Sequence, residues 1–117
     1  MTRQTYDTTL TAEHLYSGTY DTWNVTLKRN GKTRTLLYRM GPGHHGAEPT
    51  LYHVLTSLKM DATYGASFEE WCGDLGYVTD SRRAYDLYLD CRQSEIESIE
   101  FFGAEVWDKI VNDENYE

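Results

Sequence analysis

The chain has 117 residues, of which 39% are hydrophobic and 14% aromatic, and this composition indicates one globular domain, 1–117, with a single hydrophobic core. The formal net charge of −8 argues against direct binding to nucleic acid or to an anionic membrane, because both need a basic surface. No apolar run approaches the ~20 residues that cross a bilayer, and the N-terminus lacks a secretion signal, so we expect a cytoplasmic protein.

The first predicted element is a β-hairpin over residues 20–40. An Asn-Gly pair at 30–31 separates two runs rich in β-branched and aromatic residues, which is typical of a type I′ turn. A two-residue loop places Val25 opposite Leu36, on the side of the hairpin that faces the core. Two strands alone are marginally stable in water, so we expect a third strand from residues 8–20.

Apolar spacing and capping signals predict four helices, over about 49–62, 67–75, 80–102 and 104–111. Ser67 and Glu70 form a capping box at the second helix, and Gly103 ends the third. The third helix is amphipathic, and its predicted buried side carries Ala84, Leu87, Tyr88, Cys91, Ser98 and Phe102. The expected fold class is α+β, with a two- or three-stranded antiparallel sheet packed against three to four helices in one compact domain.

The exposed side of the third helix carries four carboxylates, which we call the acidic row: Asp86, Asp90, Glu97 and Glu100. One interpretation is a solvated face that keeps a small protein soluble. The other is a binding surface for a partner with a basic groove, in which carboxylates occupy sites meant for phosphates. Both interpretations remain open from the sequence.

Basic residues of the hairpin offer an alternative binding surface, formed by Lys28, Arg29, Lys32 and Arg34. Such a surface would contact DNA or RNA. The alternative is that these cations protect a sheet edge against aggregation.

A metal-dependent enzyme would use the loop histidines His44 and His45 together with Glu48 and His53, since imidazole and carboxylate bind zinc or iron. Adjacent histidines in a glycine-rich loop point in different directions, and no His pair at i, i+4 or spaced cysteine partner completes the set. The loop also suits contact with a binding partner. We therefore expect no metal and no cofactor.

The two cysteines, Cys72 and Cys91, lack both zinc-site spacing and a local signature of a catalytic nucleophile. In a reducing compartment we expect them to be free and buried in the core. Phosphate-binding glycine loops are also absent from the sequence. These features favour a protein that is not an enzyme.

The run 67–84 contains Phe68, the pair Trp71-Cys72, the turn Gly76-Tyr77, the helix start Asp80-Ser81 and Ala84. It resembles a stretch found in many small proteins of phages and mobile elements, often after a strand with a Trp-x-Val-x-Leu core like that of 23–27. The resemblance covers about 23–103. It implies a phage protein acting in the bacterial cytoplasm, and small acidic phage proteins often inhibit host defence, as anti-CRISPR proteins do. Fold and origin do not fix function, so this step rests on association.

We therefore expect a non-enzymatic inhibitor of host defence, an anti-CRISPR protein that mimics DNA. It would bind a Cas effector through the acidic row, with help from His44 and His45, and block nucleic-acid binding. An accessory factor of phage nucleic-acid metabolism is the alternative, and a metal-dependent enzyme is a lesser one.

Overall fold

The computed structural model describes residues 5–41 and 47–113. In these ranges three strands precede four helices: β1 (Thr9–Ser17), β2 (Asp21–Arg29), β3 (Lys32–Met40), α1 (Leu51–Asp61), α2 (Phe68–Leu75), α3 (Arg82–Phe102) and α4 (Ala104–Val111). The strands form one antiparallel sheet in the order β1-β2-β3. The predicted α+β fold and its third strand are confirmed. None of these helices is long and apolar enough to span a bilayer.

The β2–β3 hairpin turns at Asn30 and Gly31, which both have positive φ, 48° and 81°. This conformation is the one that a type I′ turn requires, and it favours Asn-Gly. Val25 pairs with Leu36, as predicted from the loop length. Trp23, Val25 and Leu27 are buried against the helices, while the opposite face of the sheet carries mainly threonine and other polar residues.

Side chains cap α1, α2 and α3 at their first turns. Ser67 and Glu70 form the predicted capping box of α2. Helix α1 begins at Leu51 rather than at Pro49, because Thr50 is its N-cap. The Thr50 hydroxyl accepts a hydrogen bond from the His53 backbone N–H, and His53 Nδ1 accepts one from the Thr50 N–H.

Within residues 5–41 and 47–113, the core consists of two clusters that α3 connects. The main cluster lies between the sheet, α1, α4 and the C-terminal end of α3, and it contains Phe102 and Trp107. The smaller one packs Trp71 and Cys72 of α2 against Ala84 and Tyr88 of α3. Helix α3 thus positions both clusters relative to the sheet.

The predicted buried side of α3 needs two corrections. Leu87 is 40% exposed rather than buried, and Cys91 is half-buried. The neighbouring elements cover a narrower arc of the helix, centred on Ala84 and Phe102, so Leu87, at the edge of the predicted side, stays partly in solvent. Cys91 lies within this arc but is covered only in part. Glu95 lies within this arc and is buried.

Gly103 joins α3 to α4 with φ 84° and ψ 151°, a conformation that essentially only glycine adopts. Its N–H donates to the Ile99 carbonyl at 2.7 Å, while Trp107 N–H donates to the Gly103 carbonyl at 2.9 Å. The sharp junction lets Trp107 stack on Phe102, with ring centroids 6.2 Å apart. Gly103 therefore sets the angle at which α4 lies beside the end of α3.

Candidate functional site

All four carboxylates of the acidic row are exposed on α3. Two of them have partners in the molecule. Asp86 accepts from Arg82 Nε at 3.1 Å, and Glu97 lies 3.6 Å from Arg34 Nη2. The side chains of Asp90 and Glu100 contact no hydrogen-bond or ion-pair partner in the described part of the chain. These two carboxylates are therefore the most available to a partner.

The basic residues of the hairpin do not share one face. Arg29 Nε donates to the Tyr6 carbonyl at 3.0 Å, and Lys32 Nζ donates to the Glu100 carbonyl at 2.9 Å. Lys28 lies on the polar outer face of the sheet, opposite Thr33. The strand register therefore places Lys28 on the side of the sheet opposite to Arg29, Lys32 and Arg34.

The Arg34 side chain connects β3 to α3 through hydrogen bonds. Its Nη1 donates to Ser98 Oγ at 2.7 Å, and its Nη2 donates to the Ser94 carbonyl at 3.2 Å. The side chain is only 10% exposed. Burial lowers the pKa of the guanidinium, and the charge of Glu97 opposes this shift. Arg34 is thus a structural cation that holds α3 against the sheet.

Glu95 is a buried carboxylate that the sequence analysis missed. Its Oε1 accepts from Thr63 Oγ1 at 2.6 Å, and its Oε2 accepts from the Tyr64 N–H at 2.7 Å. Tyr64 has a positive φ of 53°, and Glu95 fixes this turn of the α1–α2 connection against α3. A charged residue on the apolar side of the α3 wheel is the signal that could have identified it.

Beside the acidic row, α3 exposes an apolar stripe formed by Tyr85, Leu89, Ile96 and Ile99. Each of these side chains is 38–44% exposed. At its C-terminal end the stripe borders a groove whose other wall is formed by Tyr64, Trp107 and Val111. The sequence analysis assigned α3 a single apolar side and so missed this second one, although the helical spacing of its residues is visible in the sequence.

The proposed metal ligands are only partly described. His44 and His45 lie outside the described residues. Glu48 is exposed, and His53 caps α1 through Nδ1. Within residues 5–41 and 47–113, no three His, Cys, Asp or Glu side chains converge as a metal site would require.

His14, Ser17 and Asp21 meet at the irregular end of β1, but their geometry is not that of a catalytic triad. Ser17 Oγ lies 3.2 Å from His14 Nε2, and Asp21 Oδ1 lies 3.7 Å from the same nitrogen. A general base contacts the nucleophile through one ring nitrogen and the orienting carboxylate through the other. The contacts instead connect the end of β1 to the start of β2.

Cys91 is a half-buried thiol in an acidic environment. Burial raises its pKa, and the negative charges of Asp61, Asp90 and Glu95 raise it further. Since the thiolate is the reactive species, this environment suppresses nucleophilic chemistry at neutral pH. The arrangement is the opposite of the electropositive surroundings that activate catalytic cysteines.

We expect Cys91 to react with iodoacetamide at pH 8 more slowly than a cysteine in a short unstructured peptide, because fewer molecules carry the thiolate. Asp90→Asn removes one of the opposing charges and should increase the rate severalfold. Alkylation rates measured across pH in a Cys72→Ala background test this. An alkylation rate of Cys91 equal to that of the peptide cysteine would contradict a raised pKa of the Cys91 thiol.

Asp90, Glu100 and the apolar stripe lie on the outer surface of α3, and Arg34 and Glu95 hold that helix in place. No family model, curated protein or solved structure matches the chain.

Proposed function

We propose that the protein is a non-enzymatic inhibitor that binds a nucleic-acid-handling protein of the host through the acidic row of α3. The observation that carries the proposal is the exposure of four carboxylates along one helix, with Asp90 and Glu100 lacking partners in the described part of the chain. Carboxylates on a rigid helix can form charge-assisted hydrogen bonds with Arg and Lys that otherwise bind phosphate.

The length of the row supports mimicry of a nucleic-acid strand. At the α-helical rise, Asp86 and Glu100 lie about 21 Å apart along the axis of α3. This is about the length of six nucleotides in one strand of DNA. The helix is held by Arg34 and by the core, so the charges are fixed in space before binding, which reduces the entropic cost of association.

We further propose a specific target for this inhibitor, a Cas effector, so that the protein acts as an anti-CRISPR inhibitor. It rests on the resemblance of 67–84 to proteins of phages and on the acidic surface. Inhibition would be stoichiometric and would need no cofactor. Binding should weaken as salt increases, since exposed charges are screened beyond about 10 Å at 0.1 M ionic strength.

The test is phage plaquing on bacteria whose active CRISPR system targets that phage, in a panel that covers the CRISPR types. Expression of the chain should restore plaques in at least one strain. Asp90→Lys with Glu100→Lys should abolish the restoration, because it reverses the two carboxylates without partners and spares the Arg82–Asp86 and Arg34–Glu97 pairs.

The matched control is Glu13→Lys with Asp74→Lys, which changes the net charge equally at exposed positions on β1 and α2. This control should inhibit as well as the parent. Equal loss in both variants would show that overall charge, not the acidic row, is responsible. No restoration in any strain would reject the Cas effector as the target.

A further inference from the structure

The groove beside α3 is an open apolar channel of about 420 Å³. Ile96 and Ile99 of α3 form one wall, and Trp107 and Val111 of α4 form the other. Tyr64, whose backbone N–H donates to Glu95, also lines the groove. The side chain of Trp107 is buried, whereas those of Ile96 and Ile99 are partly exposed.

The apolar stripe extends this groove toward the N-terminal end of α3. Tyr85, Leu89, Arg92, Ile96 and Ile99 follow one another at intervals of four, three, four and three residues. This spacing is the one by which a helix presents a continuous apolar surface to a second helix packed along it. The shape and periodicity therefore fit an α-helix as the occupant.

Charges at the borders indicate the chemistry of that helix. Glu100, whose side chain has no partner in the described part of the chain, lies on one border of the stripe, and Asp108 of α4 lines the groove on the other side. A second copy packed antiparallel about Arg92 would place the Arg92 side chains of the two chains opposite each other, and like charges at such positions repel. A helix with lysine or arginine along its borders would be attracted instead.

Arg92 adds a constraint on register. It is partly buried in the middle of the stripe and lines the groove. A single polar residue at an interface position can fix the alignment of two packed helices. A carboxylate opposite Arg92 would satisfy its charge within an otherwise apolar contact.

We propose that the stripe and groove bind an amphipathic helix of the partner protein, with apolar residues at four-three spacing, basic borders and one carboxylate facing Arg92. This inference rests on the proposed function and names the structural element that the inhibitor recognises in its target. The acidic row then attracts the basic residues that flank the apolar face of the partner helix, while the apolar stripe buries that face.

The probe is a synthetic helical peptide of three heptads, with leucine at a and d, lysine at e and g, and one glutamate at the central interface position. The full chain should bind it more tightly than a scrambled peptide of the same composition, as measured by fluorescence anisotropy. Replacing the central glutamate by lysine should weaken binding at least about tenfold, and Arg92→Glu should reverse this preference.

Ile96→Asp should weaken binding of the glutamate peptide at least about tenfold, because it puts a charge into the apolar contact. Leu89→Gln is a milder second variant at an exposed position. Leu37→Asp is the matched control on the outer face of the sheet, where Leu37 is also exposed, and it should bind as the parent does. Thermal unfolding verifies that each variant is folded.

The inference would be overturned if the scrambled peptide bound as tightly as the designed peptide. It would also be overturned if Leu37→Asp weakened binding as much as Ile96→Asp. If the chain associates with itself and Ile96→Asp abolishes that association, a second copy occupies the groove. This result would also overturn the inference. If the peptide results hold while no strain regains plaques, only the proposed function fails. If plaques are restored and Ile96→Asp restores them equally well, the docking inference is wrong.

Discussion

Glu95→Ala is expected to lower the free energy of unfolding by about 3 kcal/mol, because it removes a buried carboxylate that accepts two short hydrogen bonds. The Thr63 hydroxyl and the Tyr64 N–H would lose their partner. The expected decrease in Tm is on the order of 12 °C for a domain of this size. Urea unfolding followed by circular dichroism measures the free energy of unfolding, and thermal unfolding followed in the same way measures Tm.

Glu95→Gln keeps one carbonyl acceptor and should cost less than Glu95→Ala. Glu100→Ala is the matched control on the same helix, since the Glu100 side chain is exposed, and it should change stability by less than about 0.5 kcal/mol. If Glu95→Ala and Glu100→Ala unfold at the same urea concentration, Glu95 does not fix the α1–α2 connection.

Arg34→Ala is the second substitution with a large expected effect, again about 3 kcal/mol. It removes the donors to Ser98 and Ser94 and the ion pair with Glu97, and it leaves a void between β3 and α3. Urea unfolding is again the measurement, and the loss should appear as a lower midpoint with an unchanged slope.

Arg34→Lys should recover only part of this loss, since an ammonium group lacks the planar fork that reaches two serines at once. Lys28→Ala, on the outer face of the sheet, is the control and should be nearly neutral. Full stability in Arg34→Lys would show that charge alone matters at this position. That result would contradict the hydrogen-bonded role described above.

Local chemistry explains why the sequence predicts so much of this fold. The turn at Asn30 and Gly31 needs two positive φ angles, and few other residue pairs provide them. Ser67 and Glu70 satisfy backbone N–H groups of their own helix, and Gly103 adopts a φ that ends a helix. Each of these signals acts within a few residues, so a pattern in the sequence is sufficient to find it.

Contacts between distant segments could not be found in this way. Glu95 is buried because the α1–α2 connection reaches it with two donors, and Arg34 is buried because two serines of α3 face β3. A helical wheel shows which residues share a side but not how wide an arc the neighbouring elements cover, so Leu87 was placed wrongly. The apolar stripe is missed for the same reason, because the helical wheel is interpreted with only one apolar side of α3.

The acidic row was identified from its spacing, and the structure adds which of its members are already paired. The distinction between paired and unpaired carboxylates decides which charges to reverse in the plaque assay, because reversing the charge of Asp86 or Glu97 would also break contacts within the molecule. Reversing Asp90 and Glu100 tests the surface alone.

Site-specific photo-crosslinking tests the central claim, that the outer surface of α3 binds the target, most directly. A photoreactive amino acid replaces Leu89 on the stripe or, as the control, Leu37 on the sheet, and the bacteria are irradiated during phage infection. We expect that position 89 is joined to a nucleic-acid-handling protein, identified by mass spectrometry, and that position 37 is not. Attachment of the same protein at position 37 but not at position 89 would contradict it.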